Sequence, residues 1–235
     1  MHHGSILIAN PKFHSRWVAI IFVLLSYACS NPPASDPVLL EAIRWYTGEA
    51  GVIDNERAKN MLERAAEDGD ALSIMWLARV HSTGRMNYKT DKAKAAALSN
   101  SVIGKVEIMA RAGNAEANFL MGTAYAEGLG KLQSSLEAVR WYKRAATMNV
   151  TLAQHNIGNA YASGTGVAQS DKRAAHWWLV AAKKGDAIPQ LRLGEIYEEG
   201  IGVKQDLLIA MHWYQESAKR GNTEAAAALR KLQEK

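Results

Sequence analysis

Apolar and small residues recur along this chain of 235 residues in short blocks with helical spacing. After Gly130 the spacing is i, i+3, i+4, i+7 and i+8, which gives a helix one apolar face: Ala138, Trp141, Tyr142, Ala145 and Ala146. The block before it, residues 115–127, is also spaced as a helix and ends at Gly128-Leu129-Gly130. Glycine adopts the positive φ that ends a helix without steric cost. The pattern therefore predicts two helices joined by a glycine turn.

This two-helix unit occurs three times, at a spacing of 36 residues. The recurring positions are a helical glycine, a tyrosine, two turn glycines, an alanine and a tryptophan: Gly122, Gly158 and Gly194; Tyr125, Tyr161 and Tyr197; Gly128/Gly130, Gly164/Gly166 and Gly200/Gly202; Ala138, Ala174 and Ala210; Trp141, Trp177 and Trp213. A fixed period of this length indicates a stacked array. We therefore predict an all-α fold, a right-handed α-solenoid of antiparallel helix pairs. A helical glycine costs about 1 kcal/mol relative to alanine, so we expect the second helix to approach closely there, with the tryptophan packed over the glycine.

The repeat domain is predicted to span residues 37–235. It divides into a divergent copy, a copy with eight extra residues in its second half, three regular copies and a capping helix with a charged outer face: residues 37–70, 71–114, 115–150, 151–186, 187–222 and 223–235.

The motif Ala-x-Ala-x₃-Leu-Gly-x₂-Tyr-x₂-Gly-x-Gly-Val, followed by Asp, Ala, Trp, Ala-Ala and Gly, resembles the Sel1-like repeat, a TPR-like helix pair. One copy carries the motif best: Ala153, Gly158, Tyr161, Gly164, Gly166, Val167, Asp171, Ala174, Trp177, Ala181, Ala182 and Gly185. The resemblance covers residues 37–235 and implies the solenoid fold. It implies less about function, because the matching residues are packing residues.

The first 28 residues have a different character. Lys12 and Arg16 precede an uncharged run from Trp17 to Ala28, and no acidic residue occurs in residues 1–28. This run is shorter than the roughly 20 apolar residues that a helix needs to span a bilayer. A basic start, a short apolar stretch and a small residue before the cleavage point predict a secretory signal peptide over residues 1–28.

Cys29, the only cysteine, directly follows this segment. Leu25-Ser26-Tyr27-Ala28-Cys29 resembles the cleavage box of bacterial lipoproteins, although Ser26 stands at the usual leucine position and Tyr27 is bulky. The resemblance implies that Cys29 is lipidated, that residues 29–36 are a proline-rich tether and that the protein is anchored to the outer membrane in the periplasm. The alternative is cleavage after Ala28, which gives a soluble periplasmic protein.

The sequence does not predict an enzyme. The Gly-x-Gly pairs follow helices rather than strands and recur with the repeat, so we interpret them as turns rather than phosphate loops. Neither His-Glu-x-x-His nor Gly-x-Ser-x-Gly occurs, and we expect no catalytic residue, cofactor, metal or small-molecule substrate. The formal net charge is +5, including Lys12 and Arg16. No basic stripe interleaved with aromatic residues is present, so we do not expect nucleic acid as a partner.

Protein binding is the expected activity, because stacked repeats form extended concave surfaces. The first helices of such arrays are expected to line that surface. The candidates are the residue after the helical glycine in each copy and its neighbours one turn away: Arg44, Met75, Arg79, Phe119, Thr123, His155, Asn159, Leu191, Glu195, Glu198 and Glu199. Their charge changes from basic to acidic along the array. The alternative is that they are ordinary solvated side chains, and that Phe119 belongs to the core.

Two functions fit these predictions. Sel1-like lipoproteins of Gram-negative bacteria include immunity proteins encoded beside phospholipase effectors of the type VI secretion system. The resemblance thus implies a periplasmic inhibitor of a secreted phospholipase. The alternative is a general envelope scaffold or adaptor for assembly of a periplasmic or cell-surface complex.

Overall fold

The structure, a computed structural model, describes residues 34–234. The predicted signal peptide, Cys29 and residues 30–33 of the predicted tether lie outside the described residues. Within residues 34–234 the chain forms eleven helices and no strand: α1 (Pro37–Thr47), α2 (Asn55–Glu67), α3 (Ala71–Thr83), α4 (Lys92–Arg111), α5 (Ala115–Glu127), α6 (Ser135–Thr147), α7 (Thr151–Ser163), α8 (Asp171–Ala182), α9 (Ala187–Glu199), α10 (Leu207–Lys219) and α11 (Thr223–Gln233).

Each odd-numbered helix from α1 to α9 packs against the even-numbered helix that follows it, and each pair packs against the next. The short connections between paired helices make them antiparallel neighbours. The predicted all-α solenoid of helix pairs is therefore confirmed.

Local sequence explains where the helices begin and end. Asp70 accepts a hydrogen bond from Ser73 N at 2.7 Å, and Ser134 accepts one from Glu137 N at 3.3 Å. Such caps satisfy backbone donors that the first turn leaves free. Helix α5 ends at Gly128, whose φ of 75° is left-handed and closes the last turn. Helix α7 is the exception, because Val150 at its N-cap provides no side-chain hydrogen bond.

The eight extra residues of the second copy mainly lengthen a helix. Helix α4 has 20 residues, whereas the equivalent α6 has 13. The remaining extra residue lies in the connection before α4. The addition therefore extends α4 by about two turns, at 3.6 residues per turn, and leaves the pairing of α3 with α4 intact.

The helical glycines do allow close approach, but the predicted aromatic partner is wrong. A Cβ added to Gly158 would lie 2.4 Å from Cδ1 of Trp178, not against Trp177. The equivalent partners are Tyr142 for Gly122 and Tyr214 for Gly194, each also at 2.4 Å. Trp178 is buried, whereas Trp177 is only partly buried. The residue after each recurring tryptophan thus faces the partner helix.

The two ends of the described array meet. Ile53 N donates to the backbone oxygen of Arg220 at 2.9 Å, and Arg220 Nη1 donates to Gly48 O at 3.0 Å. The Arg220 guanidinium also packs against Gly185, where an added Cβ would lie 3.0 Å from Cζ. We call these contacts between residues 48–53, Gly185 and Arg220 the clasp. It brings the turn after α1 against the C-terminal ends of α8 and α10, so the inner surface of the array is closed at this edge.

Among residues 34–234, no helix combines the length and apolar character needed to cross a membrane.

Candidate functional site

The inner surface of the array contains two neighbouring clefts, with volumes of about 370 and 300 Å³. Both are lined by Arg79 of α3, Arg85 of the following turn, and Asn156 and Asn159 of α7. The larger cleft extends toward α5 and α6, and the smaller one extends toward α1 and α9. We call the surface formed by both clefts the inner groove. Because the inner groove is built from several repeats, a ligand that fills both clefts would contact several copies of the repeat.

Arg79 is buried in the wall of the groove, with 4% of its surface exposed. Its Cζ lies 4.5 Å from the ring centroid of Trp76, 5.3 Å from that of Phe119 and 6.0 Å from that of Tyr46. Aromatic faces stabilise a cation at these distances. Nε and Nη1 of Arg79 are nevertheless buried without a hydrogen-bond partner among the described residues.

A buried carboxyl group lies near this arginine. Glu116 is 4% exposed, and its Oε1 accepts a hydrogen bond from Trp76 Nε1 at 2.7 Å. Burial raises the pKa of Glu116 to about 7, and the hydrogen bond and the charge of Arg79 oppose that rise only in part. At neutral pH, Glu116 therefore provides less than a full negative charge to balance Arg79.

The other ionisable side chains of the groove have partners. Arg85 Nη1 lies 2.8 Å from Glu127 Oε1, and the Ser82 hydroxyl donates to the same carboxylate. His155 Nδ1 lies 3.2 Å from Asp186 Oδ2. These pairs leave Arg79 as the charged side chain of the groove for which the described residues provide no ion-pair partner.

The opposite wall presents amides. Asn159 Oδ1 accepts from Trp178 Nε1 at 3.0 Å, which leaves the amino group of Asn159 available to donate. Asn156 lies nearly one helical turn earlier, on the same side of α7. The groove thus combines a buried cation with neutral hydrogen-bonding groups.

The structure divides the predicted binding residues. Arg79, His155 and Asn159 are brought together in the inner groove. Met75, Phe119, Thr123 and Leu191 are no more than 2% exposed, so their assignment to a binding face is corrected: they are core residues. The Thr123 hydroxyl lies 3.3 Å from the Tyr142 hydroxyl, which explains how it is accommodated.

The remaining candidates do not line the two clefts. Arg44 and Glu199 are exposed, and Glu195 pairs with Arg192 at 2.7 Å. Glu198 Oε2 accepts from the Tyr214 hydroxyl at 2.8 Å. The predicted basic-to-acidic series is therefore not a continuous lining of the groove.

Arg85 and Asn156 line both clefts but were not among the predicted binding residues. Arg85 follows Gly84, at the position where the three regular copies have Leu129, Thr165 and Ile201 between their two turn glycines. A comparison of that position across copies could have identified the arginine as unusual. Asn156 is three residues before Asn159, a spacing that shares a helix face.

Among residues 34–234, no group of three or more His, Cys, Asp or Glu side chains is arranged to hold a metal ion.

The sequence model of the Sel1 repeat family matches residues 45–70, 115–150, 151–186 and 190–222, which is more than half of the chain. The chain belongs to the Sel1 repeat family. Residues 71–114, which carry Arg79, Arg85 and the long α4, lie outside the Sel1 repeat matches.

Solved structures with Sel1 repeats are similar to this chain. A Sel1 repeat protein from Oxalobacter formigenes is 32% identical with a TM-score of 0.55, and the match covers 76% of this chain and 50% of that one. A protective antigen of uropathogenic Escherichia coli is 26% identical with a TM-score of 0.52, and the match covers 82% of this chain and 47% of that one. The chain thus spans about half the length of these two proteins.

An immunity protein of Pseudomonas aeruginosa is 21% identical with a TM-score of 0.47, covering 85% of this chain and 72% of that one. No curated protein matches the chain.

Proposed function

We propose that this Sel1 repeat protein is a periplasmic immunity protein that binds and neutralises a phospholipase effector of the type VI secretion system. The observation that carries the binding part of the proposal is the inner groove, in which side chains from α1, α3, α5, α6, α7 and α9 converge. A surface built from successive repeats can contact an extended part of another protein.

The composition of the groove supports binding rather than chemistry. Tyr142 lines the larger cleft and Tyr46 lines the smaller one, and both clefts share Arg79, Arg85, Asn156 and Asn159. Interfaces between proteins use tyrosine and arginine side chains as anchors. An inhibitor requires a rigid surface of this kind and no reactive group.

The effector class rests on the resemblance to Sel1-like lipoproteins, and the location rests on the sequence of residues 1–29. The basic start and apolar run of residues 1–28 support export, and Ala28-Cys29 supports a lipid anchor in the outer membrane. Palmitate labelling of the full-length chain in a Gram-negative host is expected, with loss of the label in Cys29→Ser. An unlabelled parent chain would favour the soluble periplasmic form.

The runner-up function is an envelope scaffold, and one observation favours it. Leu136 and Leu208 are 61% and 79% exposed and occupy equivalent positions two copies apart. Neither residue lines the inner groove. Apolar side chains exposed outside the groove suit an adaptor that contacts a second partner.

A protection assay tests the immunity proposal. A phospholipase-like protein encoded next to this chain is directed to the periplasm, with and without the full-length chain, and survival is counted. Asn156→Trp should reduce protection by filling the groove, whereas Gln215→Trp, at an exposed position of α10 outside it, should protect like the parent. Equal killing with and without the parent, together with no complex between the purified proteins, would reject immunity and favour the scaffold.

A further inference from the structure

Arg79 has a feature that repeat packing alone does not require. A guanidinium group has five N–H donors and no acceptor. Buried donors in proteins are nearly always hydrogen-bonded, because an unsatisfied one loses its hydration without compensation. Nε and Nη1 of Arg79 have no acceptor among the described residues, although the side chain is 4% exposed. The faces of Trp76 and Phe119 stabilise its charge but are poor acceptors compared with oxygen.

The electrostatic surroundings leave this charge only partly balanced. Burial raises the pKa of Glu116 to about 7, which weakens its negative charge at neutral pH, and its Oε1 already accepts the indole hydrogen of Trp76. Glu127 is engaged by Arg85, and Asp186 lies beside His155. The Arg79 side chain lines both clefts, so an acceptor that enters either one approaches it.

The facing wall has matching chemistry. The carbonyl oxygen of the Asn159 side chain is taken by Trp178, so its amino group is the end that can serve a ligand. Asn156 adds a second side-chain amide to both clefts. A cation opposite amide donors suits an anion whose oxygens accept several hydrogen bonds.

We propose that Arg79 forms an oxyanion-binding site in the inner groove, which binds a carboxylate or a phosphate group through charge-assisted hydrogen bonds from its guanidinium. Arginine suits both groups because its planar donors match their oxygens. The carboxylate would come from an acidic side chain of a bound protein segment, and the phosphate would come from a free or headgroup phosphate. The proposal goes beyond the immunity function and does not depend on it.

The test is NMR titration of the ¹⁵N-labelled protein purified from cells that express the full-length chain. The Nε–H signal of Arg79 is assigned by its loss in Arg79→Lys. One arm adds inorganic phosphate, and the other adds the peptide acetyl-Gly-Glu-Gly-amide, with sodium chloride keeping the ionic strength constant. A saturable shift of the Arg79 signal is expected in at least one arm. Tighter binding of the peptide assigns the site to protein carboxylates, and tighter binding of phosphate assigns it to phosphate groups.

Matched variants separate a specific site from general attraction. Arg79→Met keeps an unbranched apolar side chain over the aromatic rings and removes the donors, so affinity should fall by about tenfold or more. Arg44→Met removes an exposed arginine from the corresponding position of the first copy and should change affinity less than twofold. If Arg79→Met does not fold, the proposal is judged by whether the Nε–H signal of Arg79 in the parent protein shows a saturable shift. The proposal is overturned by no saturable shift of Arg79 in either arm, or by equal affinity in Arg79→Met and the parent.

Discussion

At the scale of single residues, the array depends on contacts where glycine meets an aromatic ring. Gly158 of α7 lies against Trp178, and an added Cβ would lie 2.4 Å from the ring. Gly104 of α4 is also helical, but nothing lies within 4 Å of an added Cβ. The same substitution should therefore have opposite effects at the two positions.

We expect Gly158→Ala to lower the free energy of unfolding by about 1–3 kcal/mol, the usual cost of overpacking a core. Gly104→Ala should raise it by up to about 1 kcal/mol, because alanine is the better helix former. Urea denaturation followed by circular dichroism measures both. Equal effects would mean that the close approach of α7 and α8 contributes nothing.

Neighbouring tryptophans provide a second comparison. Trp178 is buried and its indole donates to Asn159, whereas Trp177 is partly buried beside His176. Trp178→Ala should lower the free energy of unfolding by about 3–5 kcal/mol, as expected for removal of a large buried aromatic side chain. Trp177→Ala should lower it by less. Thermal and urea unfolding provide the measurement. The reverse order would restore the original assignment of the recurring tryptophan to the helix interface.

Glu116 should make stability depend on pH. Its pKa is raised by burial from the ordinary 4.5 to about 7, so the folded protein holds a proton that the unfolded chain has released. The contribution to stability is complete below pH 4.5 and is lost as the pH rises to 7, by about 3 kcal/mol at 1.36 kcal/mol per pKa unit. Glu116→Gln keeps an acceptor for Trp76 and removes the titration. The free energy of unfolding of Glu116→Gln, relative to that of the parent, should therefore rise by about 3 kcal/mol between pH 4.5 and 8.

Glu107→Gln is the control for this measurement. Hydrogen bonds from Lys131 and Arg111 lower the pKa of Glu107. Its contribution is therefore present above the ordinary pKa of 4.5 and is lost only at lower pH. The difference in the free energy of unfolding between Glu107→Gln and the parent should therefore stay constant between pH 5 and 8. If Glu116→Gln behaves in the same way, Glu116 is ionised in the folded protein.

At the scale of the helices, periodicity was sufficient to predict the pairs. Apolar spacing and turn glycines locate α5 to α10, and the eight extra residues locate the copy that contains the long α4. The aromatic that faces the partner helix could not be chosen in this way. Trp177 has a tryptophan at the equivalent position of the two other regular copies, whereas the residue at the helix interface is tyrosine in two copies and tryptophan in one. Sequence identity between the copies therefore indicated the wrong position.

The inner groove was predictable only in part, for a related reason. Position in the repeat led to Arg79, His155 and Asn159, because equivalent positions lie on the same side of successive first helices. The same rule included Met75 and Phe119, which are fully buried in the core. A repeat pattern shows which way a side chain points within its own pair, but burial depends on how far the next pair covers it.

At the scale of the whole array, the clasp joins segments that are far apart in sequence. Arg220 contacts Gly48, and Ile53 contacts Arg220, although about 170 residues separate them. No local spacing encodes such a contact, so the sequence reasoning could not predict it. The clasp holds Ile53 in the wall of the smaller cleft and thereby links the shape of the groove to the curvature of the array.

We expect Arg220→Ala to loosen this closure. The variant loses the hydrogen bond from the guanidinium to Gly48 O and the packing against Gly185. The backbone bond from Ile53 N to residue 220 can still form, but without side-chain support it should open more often. Amide hydrogen exchange at Ile53 should therefore become faster, by about fivefold for a hydrogen bond that contributes about 1 kcal/mol. Arg230→Ala, at an exposed position of α11, should leave exchange at Ile53 unchanged. Unchanged exchange in Arg220→Ala as well would show that the repeats hold their curvature without this side chain.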